Sequence, residues 1–202
     1  MPSTHDILTF SDAEPPPGET PWVVAPNVAP IDIVEPDPSW PDVFEDVAKR
    51  VRTALGTRAL QIEHIGSTAV PGLPAKPVID IDLIVASSPD EGVWRPALER
   101  AGFVLTVREP WWHEHRLMTL ADPRAHLHVF SPDAPEPWKH RIFRDHLRHD
   151  AADRDLYGRV KREAAVLATR AGETMTAYNA RKQTVIRDIY ARAFRAAGVV
   201  GR

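Results

Sequence analysis

The chain has 202 residues, 43% of them apolar and 26% charged, with a formal net charge of −3 and no cysteine. That balance supports one buried core of ordinary domain size. The lack of a basic excess argues against general nucleic-acid binding, and the lack of cysteine excludes a disulfide framework and a thiolate zinc site. With no basic start leading into an apolar run, and no stretch near the ~20 apolar residues that span a bilayer, the expectation is a soluble cytoplasmic protein with no membrane partner.

Residues 1 to 30 read as an irregular arm. Pro15-Pro16-Pro17, Pro21, Pro26 and Pro30, with Gly18, remove backbone donors and helical angles. The arm is expected to be mostly mobile, with Trp22-Val23-Val24 able to pack on the domain that follows from residue 31 to about 200. Ile31 to Val34 reads as a short strand. Ser39 and Pro41 open a helix from Trp40 to Leu55, in which Trp40, Phe44, Val47, Val51 and Leu55 form one apolar stripe. Gly56 ends it.

Leu60 to Ile65 is a strand closed by Gly66-Ser67. Pro71 to Pro77 holds too many prolines and glycines for a regular helix. Val78 to Val85 is the most apolar strand and is expected at the centre of the sheet. A helix from Glu91 to Ala101 precedes three strands, Phe103 to Val107, Arg116 to Leu120 and His126 to Phe130, with Asp122-Pro123 turning between the last two. From Trp138 the pattern is helical, over Trp138 to Arg148, Ala151 to Ala171 and Glu173 to Ala197. Leu156, Val160, Ala164 and Leu167 there keep a period near 3.6. Mixed strands and helices followed by helices alone predict an α+β domain, a mixed β-sheet with flanking helices and a C-terminal helical layer.

The chemistry concentrates in two short motifs. Side chains alternate along a strand, so Asp80 and Asp82 share one face while Ile79, Ile81 and Leu83 share the other. Two carboxylates on so apolar a strand are costly unless a cation or donors neutralise them. Oxygen ligation of this kind suits Mg²⁺. Gly66 permits close backbone approach, and Ser67 offers a hydroxyl and an N–H where phosphate could sit. The plainer alternative is a strand end with two solvated or turn-capping aspartates.

The run Glu63-His64-Ile65-Gly66-Ser67-Thr68-Ala69-Val70-Pro71-Gly72-Leu73-Pro74-Ala75-Lys76-Pro77-Val78-Ile79-Asp80 resembles the signature of the GrpB family. Similarity continues through Arg124 to Phe130, Phe143 to Arg148, and Tyr178 with Lys182, covering about Ile31 to Ala193. The resemblance implies a nucleotidyltransferase-like fold, and a relation to domains fused to dephospho-coenzyme A kinase. It further implies that Gly66 and Ser67 hold a nucleotide triphosphate while Asp80 and Asp82 bind divalent metal. Two metals would then activate an acceptor hydroxyl and neutralise departing pyrophosphate. The superfamily pattern also asks for a third carboxylate on a neighbouring strand. Here that strand reads His126-Leu127-His128-Val129, with no acid.

His126 and His128 share a strand face and are candidates for the missing ligand, which would favour Mn²⁺ or Zn²⁺ over Mg²⁺. His128 is also a candidate base on the acceptor hydroxyl, and structural hydrogen bonds are the plainer role for both. Lys76, Arg116 and Arg124 are candidates for phosphate contacts, weighed against ordinary solvated charges. Arg144 and Lys182 match family positions but could equally pair with acids such as Asp145. Trp111-Trp112-His113-Glu114-His115 reads as a packed hairpin before a metal motif. Glu114, Asp122 and Asp133 lack the strand context of a third acid, and His64 reads as a core histidine. The leading expectation is metal-dependent nucleotidyl transfer from a nucleotide to a small-molecule acceptor. A non-catalytic module that binds a nucleotide or coenzyme A precursor comes next, and a metal-dependent phosphoester hydrolase using the two Asp and two His residues is third.

Overall fold

The computed structural model describes residues 1–11, 15–26 and 30–200. Five strands form one sheet: β1 (Gln61–Ile65), β2 (Ile79–Ile84), β3 (Val104–Glu109), β4 (His115–Leu120) and β5 (Ala125–Phe130), in the order β1-β2-β5-β4-β3. β2 runs parallel to β5, and the other pairings are antiparallel. The sheet is therefore mixed and the fold α+β. β2 is interior, as its apolar character predicts, but β5 rather than β2 holds the middle.

Among the described residues six α-helices accompany the sheet: α1 (Thr4–Leu8), α2 (Trp40–Leu55), α3 (Glu91–Arg100), α4 (Glu136–His149), α5 (Ala151–Ala171) and α6 (Met175–Ala196). The apolar stripe of α2 and Trp94, Ala97 and Leu98 of α3 bury one sheet face, where Ile79, Ile81, Leu83, Leu127, Val129 and Met118 point. That face is ordinary packing. The other face carries Asp80, His126 and His128, and α4, α5 and α6 stand over it around a cavity. The predicted C-terminal helical layer thus becomes the roof of the site.

Two local expectations change. Ile31 to Val34 is not a strand: Val34 makes an isolated bridge to Ala75, and Ile31 packs with Ala168 and Tyr178. Prolines at 30 and 36 leave too few donors nearby for a longer ladder. The N-terminal arm contains α1, closed by a reciprocal pair of bonds between Ser3 and Asp6. Ile7 of α1 is buried with Tyr190 and Phe194 of α6. Further along, the Val23 N–H donates to the Thr106 carbonyl at 3.0 Å, so Trp22-Val23-Val24 meets the domain through its backbone while its side chains stay exposed. Residues 12–14 and 27–29 of the arm lie outside the described residues.

One ion network fastens α3 to the β3–β4 hairpin. Glu91 accepts from Arg108 at 2.6 and 2.7 Å, from Arg116 at 2.7 Å and from Arg95 at 2.9 Å. The Arg116 side chain is only 5% exposed, so loss of Glu91 leaves a guanidinium without its main counter-charge. Glu91→Ala is expected to destabilise the fold by roughly 3–5 kcal/mol, read by urea denaturation. The Arg108 hydrogen bond first, then Arg116 and Arg95 against the opposing effect of burial, holds the Glu91 carboxyl at about 2, below the usual 4.5. A depressed folded value means that the stabilisation is present above about pH 4.5 and lost as pH falls toward 2. The wild-type advantage over the variant should shrink across that window.

Candidate functional site

The floor of the cavity begins at the end of β1. Gly66 takes φ 69° and ψ −166°, and a Cβ there would lie 2.5 Å from Asp80 Oδ2. Only glycine lets this backbone lie against the carboxylate. The turn Ser67–Ala69 follows. Thr68 Oγ1 donates to the Val78 carbonyl at 3.3 Å and accepts from His64 Nε2 at 3.1 Å. His64 stacks on Phe44 at 4.6 Å, and burial lowers its pKa to about 4. It is the neutral core histidine that its strand position suggested.

Parallel pairing of β2 with β5 sets Asp80 opposite His126 and Asp82 opposite His128. Asp80 Oδ1 lies 3.2 Å from His126 Nδ1. Burial alone would raise the Asp80 pKa, but the His126 hydrogen bond and the charges of His126, His128 and Lys76 hold it below the usual range. Asp82 is only 1% exposed, and both of its oxygens lie within 3.1 Å of His140 Nδ1 on α4. Burial pushes the His140 pKa down, yet the Asp82 charge and hydrogen bond outweigh it and the net shift is upward. The Asp82–His140 contact is therefore a buried charge-assisted pair.

Deeper along the same face, His128 Nδ1 lies 3.1 Å from His115 Nε2, and His115 Nδ1 lies 2.7 Å from Glu109 Oε2. Burial lowers both His115 and His128 to about 3; the charges of His140 and Arg116 add to the effect at His115, while at His128 that of His115 adds to it and those of Asp82 and Asp80 oppose it. Both rings are neutral at ordinary pH.

The cavity of about 400 Å³ opens between this face and the C-terminal helices. Lys76, Lys161 and Lys182 project into it. Lys161 donates to the Pro74 carbonyl at 2.6 Å, Lys76 meets Met175 Sδ at 3.2 Å, and Lys182 sits 3.9 Å over the Tyr178 ring. Among the described residues none of the three has a carboxylate partner within ion-pair range. Burial, then Lys76, lowers the Lys182 pKa to about 8, while burial and Lys182 push Lys161 well down. Desolvated, unpaired and mutually repelling cations in a cavity form a site for an anion.

The structure gathers Gly66, Ser67, Lys76, Asp80, His126 and His128 at the cavity wall, with Asp82 directly behind. Arg116 is a correction. On β4 it pairs with Val129, so strand alternation turns it to the α3 face and into the Glu91 network. Arg124 is a second correction: it is exposed on the turn before β5 and forms no part of the cavity wall. Glu114 pairs with Arg116, and Asp122 and Asp133 are exposed, so none supplies a third acid. Arg144 pairs with Glu63 and Asp145, while Lys182 stays unpaired. Trp112 packs edge-on against His115 and Phe130, the expected hairpin packing.

The donor set does not fit a preformed divalent-metal centre on Asp80, Asp82, His126 and His128. Their ligand atoms do not converge in threes; among the described residues the group that does is His146, Asp150 and Asp153. There Arg192 already grips both Asp153 oxygens. At the cavity, each aspartate is taken by an imidazole instead. Three participants lie outside the sequence reading. His140 left no signal, because only tertiary packing brings α4 over β2. Tyr157 and Lys161 did leave one, since they repeat the i, i+4 Tyr–Lys spacing of Tyr178 and Lys182 on the next helix.

Comparison with known proteins agrees with this architecture. The family model described as GrpB protein matches residues 30–192. A UPF0157 protein of Halalkalibacterium halodurans is 46% identical over 168 residues, covering 83% of this chain and 85% of that protein. A dephospho-CoA kinase of Mycolicibacterium paratuberculosis is 34% identical over 193 residues, covering 82% of this chain but only 46% of the kinase. The crystal structure of GrpB from Enterococcus faecalis superimposes with a TM-score of 0.70 at 28% identity, over 82% of this chain and 99% of that one.

Because His140 neutralises a buried carboxylate, His140→Ala should cost roughly 3–5 kcal/mol of stability. The His140 pKa is raised above the usual 6.5. A raised folded value gives stabilisation that is complete below the unfolded pKa and lost as pH rises through the folded one. Urea midpoints of wild type and variant should therefore differ most at pH 6 and converge toward alkaline pH.

Proposed function

The chain belongs to the GrpB family, and from that premise and the cations of its cavity we propose that it binds a phosphorylated small molecule, a nucleotide or a coenzyme A precursor. The observation that carries this reading is the convergence of Lys76, Lys161 and Lys182, without a carboxylate partner among the described residues, beside the Gly66-Ser67 turn. A phosphate chain supplies the missing negative charge and several acceptor oxygens. The Tyr157 and Tyr178 rings under Lys161 and Lys182 add apolar wall on which the rest of the ligand can rest. Inclusion of coenzyme A precursors draws on the relative named dephospho-CoA kinase. The charge for binding comes from lysines, so no divalent cation is needed for it.

Nucleotidyl transfer to a small-molecule acceptor is the second reading. What supports it is Gly66 pressed against Asp80, with Asp82 on the same strand face, the order of residues that the family resemblance implies for such an enzyme. A Mg²⁺ or Mn²⁺ cofactor would require His140 to leave Asp82.

Isothermal titration calorimetry with pyrophosphate and with ADP, in EDTA and again in Mg²⁺ or Mn²⁺, separates these readings. Wild type should bind both ligands in EDTA. Lys161→Met and Lys182→Met should each weaken binding about 10- to 100-fold, the worth of one charged hydrogen bond. Failure of wild type to bind either ligand under all conditions would overturn the reading. Release of pyrophosphate from ATP with Mn²⁺ and an acceptor pool, abolished in Asp80→Asn, would instead favour transfer.

A further inference from the structure

We propose that Glu109 and His115 act as positioning residues that fix the tautomer of His128, so that an unprotonated His128 Nε2 faces the cavity and accepts a hydrogen bond from a hydroxyl of the bound ligand. The inference rests on the phosphorylated-ligand reading and narrows it to a phosphorylated alcohol such as a nucleotide with free sugar hydroxyls.

The hairpin that joins β3 to β4 carries the arrangement. Glu109 and His115 are cross-strand partners at its end, and His113 and Glu114 take φ 53° and 50° to close it. Left-handed backbone at two consecutive non-glycine residues is strained. Here it accompanies a turn that returns the chain with His115 on the cavity face of the sheet. His115 is then boxed by aromatic rings, with Phe130 at 4.8 Å, His128 at 5.2 Å and the Trp112 edge at 5.2 Å. The ring has little freedom to rotate.

Hydrogen-bond polarity follows by elimination. Burial raises the Glu109 carboxyl above its usual range; in its ionised form it only accepts, so His115 Nδ1 then carries the hydrogen of the 2.7 Å contact. The other nitrogen of a neutral His115 is then an acceptor, and His128 Nδ1 must donate to it across 3.1 Å. A neutral His128 that donates from Nδ1 has its lone pair on Nε2. His128 lines the cavity, and among the described residues no protein group bonds its Nε2. Asp80 and Asp82 also act on this ring, and their charges favour any positive character that a donated hydrogen bond induces there.

The chemical consequence is selectivity. An ionised phosphate oxygen has no hydrogen to offer an unprotonated nitrogen, so the lysines and His128 contact different parts of one molecule. The lysines take the phosphate end and His128 takes a hydroxyl donor.

The test uses the full-length protein with ¹⁵N-labelled histidine, read by long-range ¹H–¹⁵N correlation at pH 7.5, alongside calorimetry with pyrophosphate and ADP. The expected spectrum has hydrogen on Nδ1 of both His115 and His128. Glu109→Gln should keep that pattern through its amide oxygen. Glu109→Leu, checked for an intact thermal transition, should shift His128 toward hydrogen on Nε2. Glu109→Leu should also weaken ADP about tenfold while leaving pyrophosphate unchanged. Hydrogen on His128 Nε2 in wild type, or a His128 tautomer indifferent to Glu109→Leu, overturns the inference, as does equal loss of ADP and pyrophosphate in the variant. Absence of both ligands from wild type overturns the binding reading itself, and the tautomer spectrum still reports on the lock.

Discussion

Two carboxylates on an interior strand are the constraint on which this architecture turns. Asp82 is 1% exposed and Asp80 lies one alternation away on the same face of β2. An ion so placed is tolerated only with a close counter-charge. β5 meets part of the need by setting His126 against Asp80. The rest comes from α4, which lays His140 across Asp82. That helix must therefore be held accurately. Arg144 ties its middle to Glu63 and to the His64 carbonyl on β1, and buried Lys139, paired with Glu136 within the helix, ties its start to the Thr9 carbonyl. The N-terminal arm, through Thr9 and Ile7, thus supports the element that neutralises the site.

The sheet separates stability from chemistry by the alternation of a strand. His115 and Arg116 are adjacent in sequence, yet one joins the histidine chain at the cavity while the other joins the Glu91 network under α3. The α2–α3 side is closed by Trp94, Phe44, Leu98 and the inward residues of four strands. Among the described residues it presents no buried charge without a partner of the kind found across the sheet. Such a rigid backing lets the opposite face keep unfavourable features, namely buried aspartates, desolvated lysines and a strained hairpin.

Much of the fold was legible because its signals are local. The helix from Trp40 to Leu55 follows from apolar periodicity and Gly56 at its end, and the helix from Ala151 to Ala171 from periodicity, with the structure adding Asp150 and Gly172 as its caps. Strand alternation likewise shows that Asp80, Asp82, His126 and His128 divide between two strands with each pair on one face. Alternation cannot say which face, and so Arg116 was assigned to the wrong side. Nor does sequence spacing reveal that His140, 58 residues downstream of Asp82, would supply the charge a metal was expected to supply. The five-residue α1 was invisible because one turn of helix has no period to detect. The lysines of α5 and α6 were half-legible: a lysine at i+4 from a tyrosine is ordinary on a solvated face, and only burial of Lys161 and Lys182 makes the pattern unusual.

Those lysines state the energetic logic of the cavity most directly. A lysine that loses water without gaining a partner destabilises the folded state, and the Lys182 pKa of about 8 expresses that penalty. The fold could remove it with one acidic residue on α5 or α6, and the Glu63–Arg144 pair shows the device in use on the neighbouring helix. It is not used here. An anion entering the cavity restores the lost interaction, raises the lysine pKa and is bound more tightly for having relieved the repulsion. Asp80 opposes such an anion and bears on all three lysines from one side. The rings of His126 and His128 stand on its strand face, and the backbone of Gly66 lies against its oxygen. Negative charge is thereby confined to the floor, while α5, α6 and the loop before β2 carry the positive charge. A ligand with a phosphate end and a hydroxyl end matches that division of the cavity.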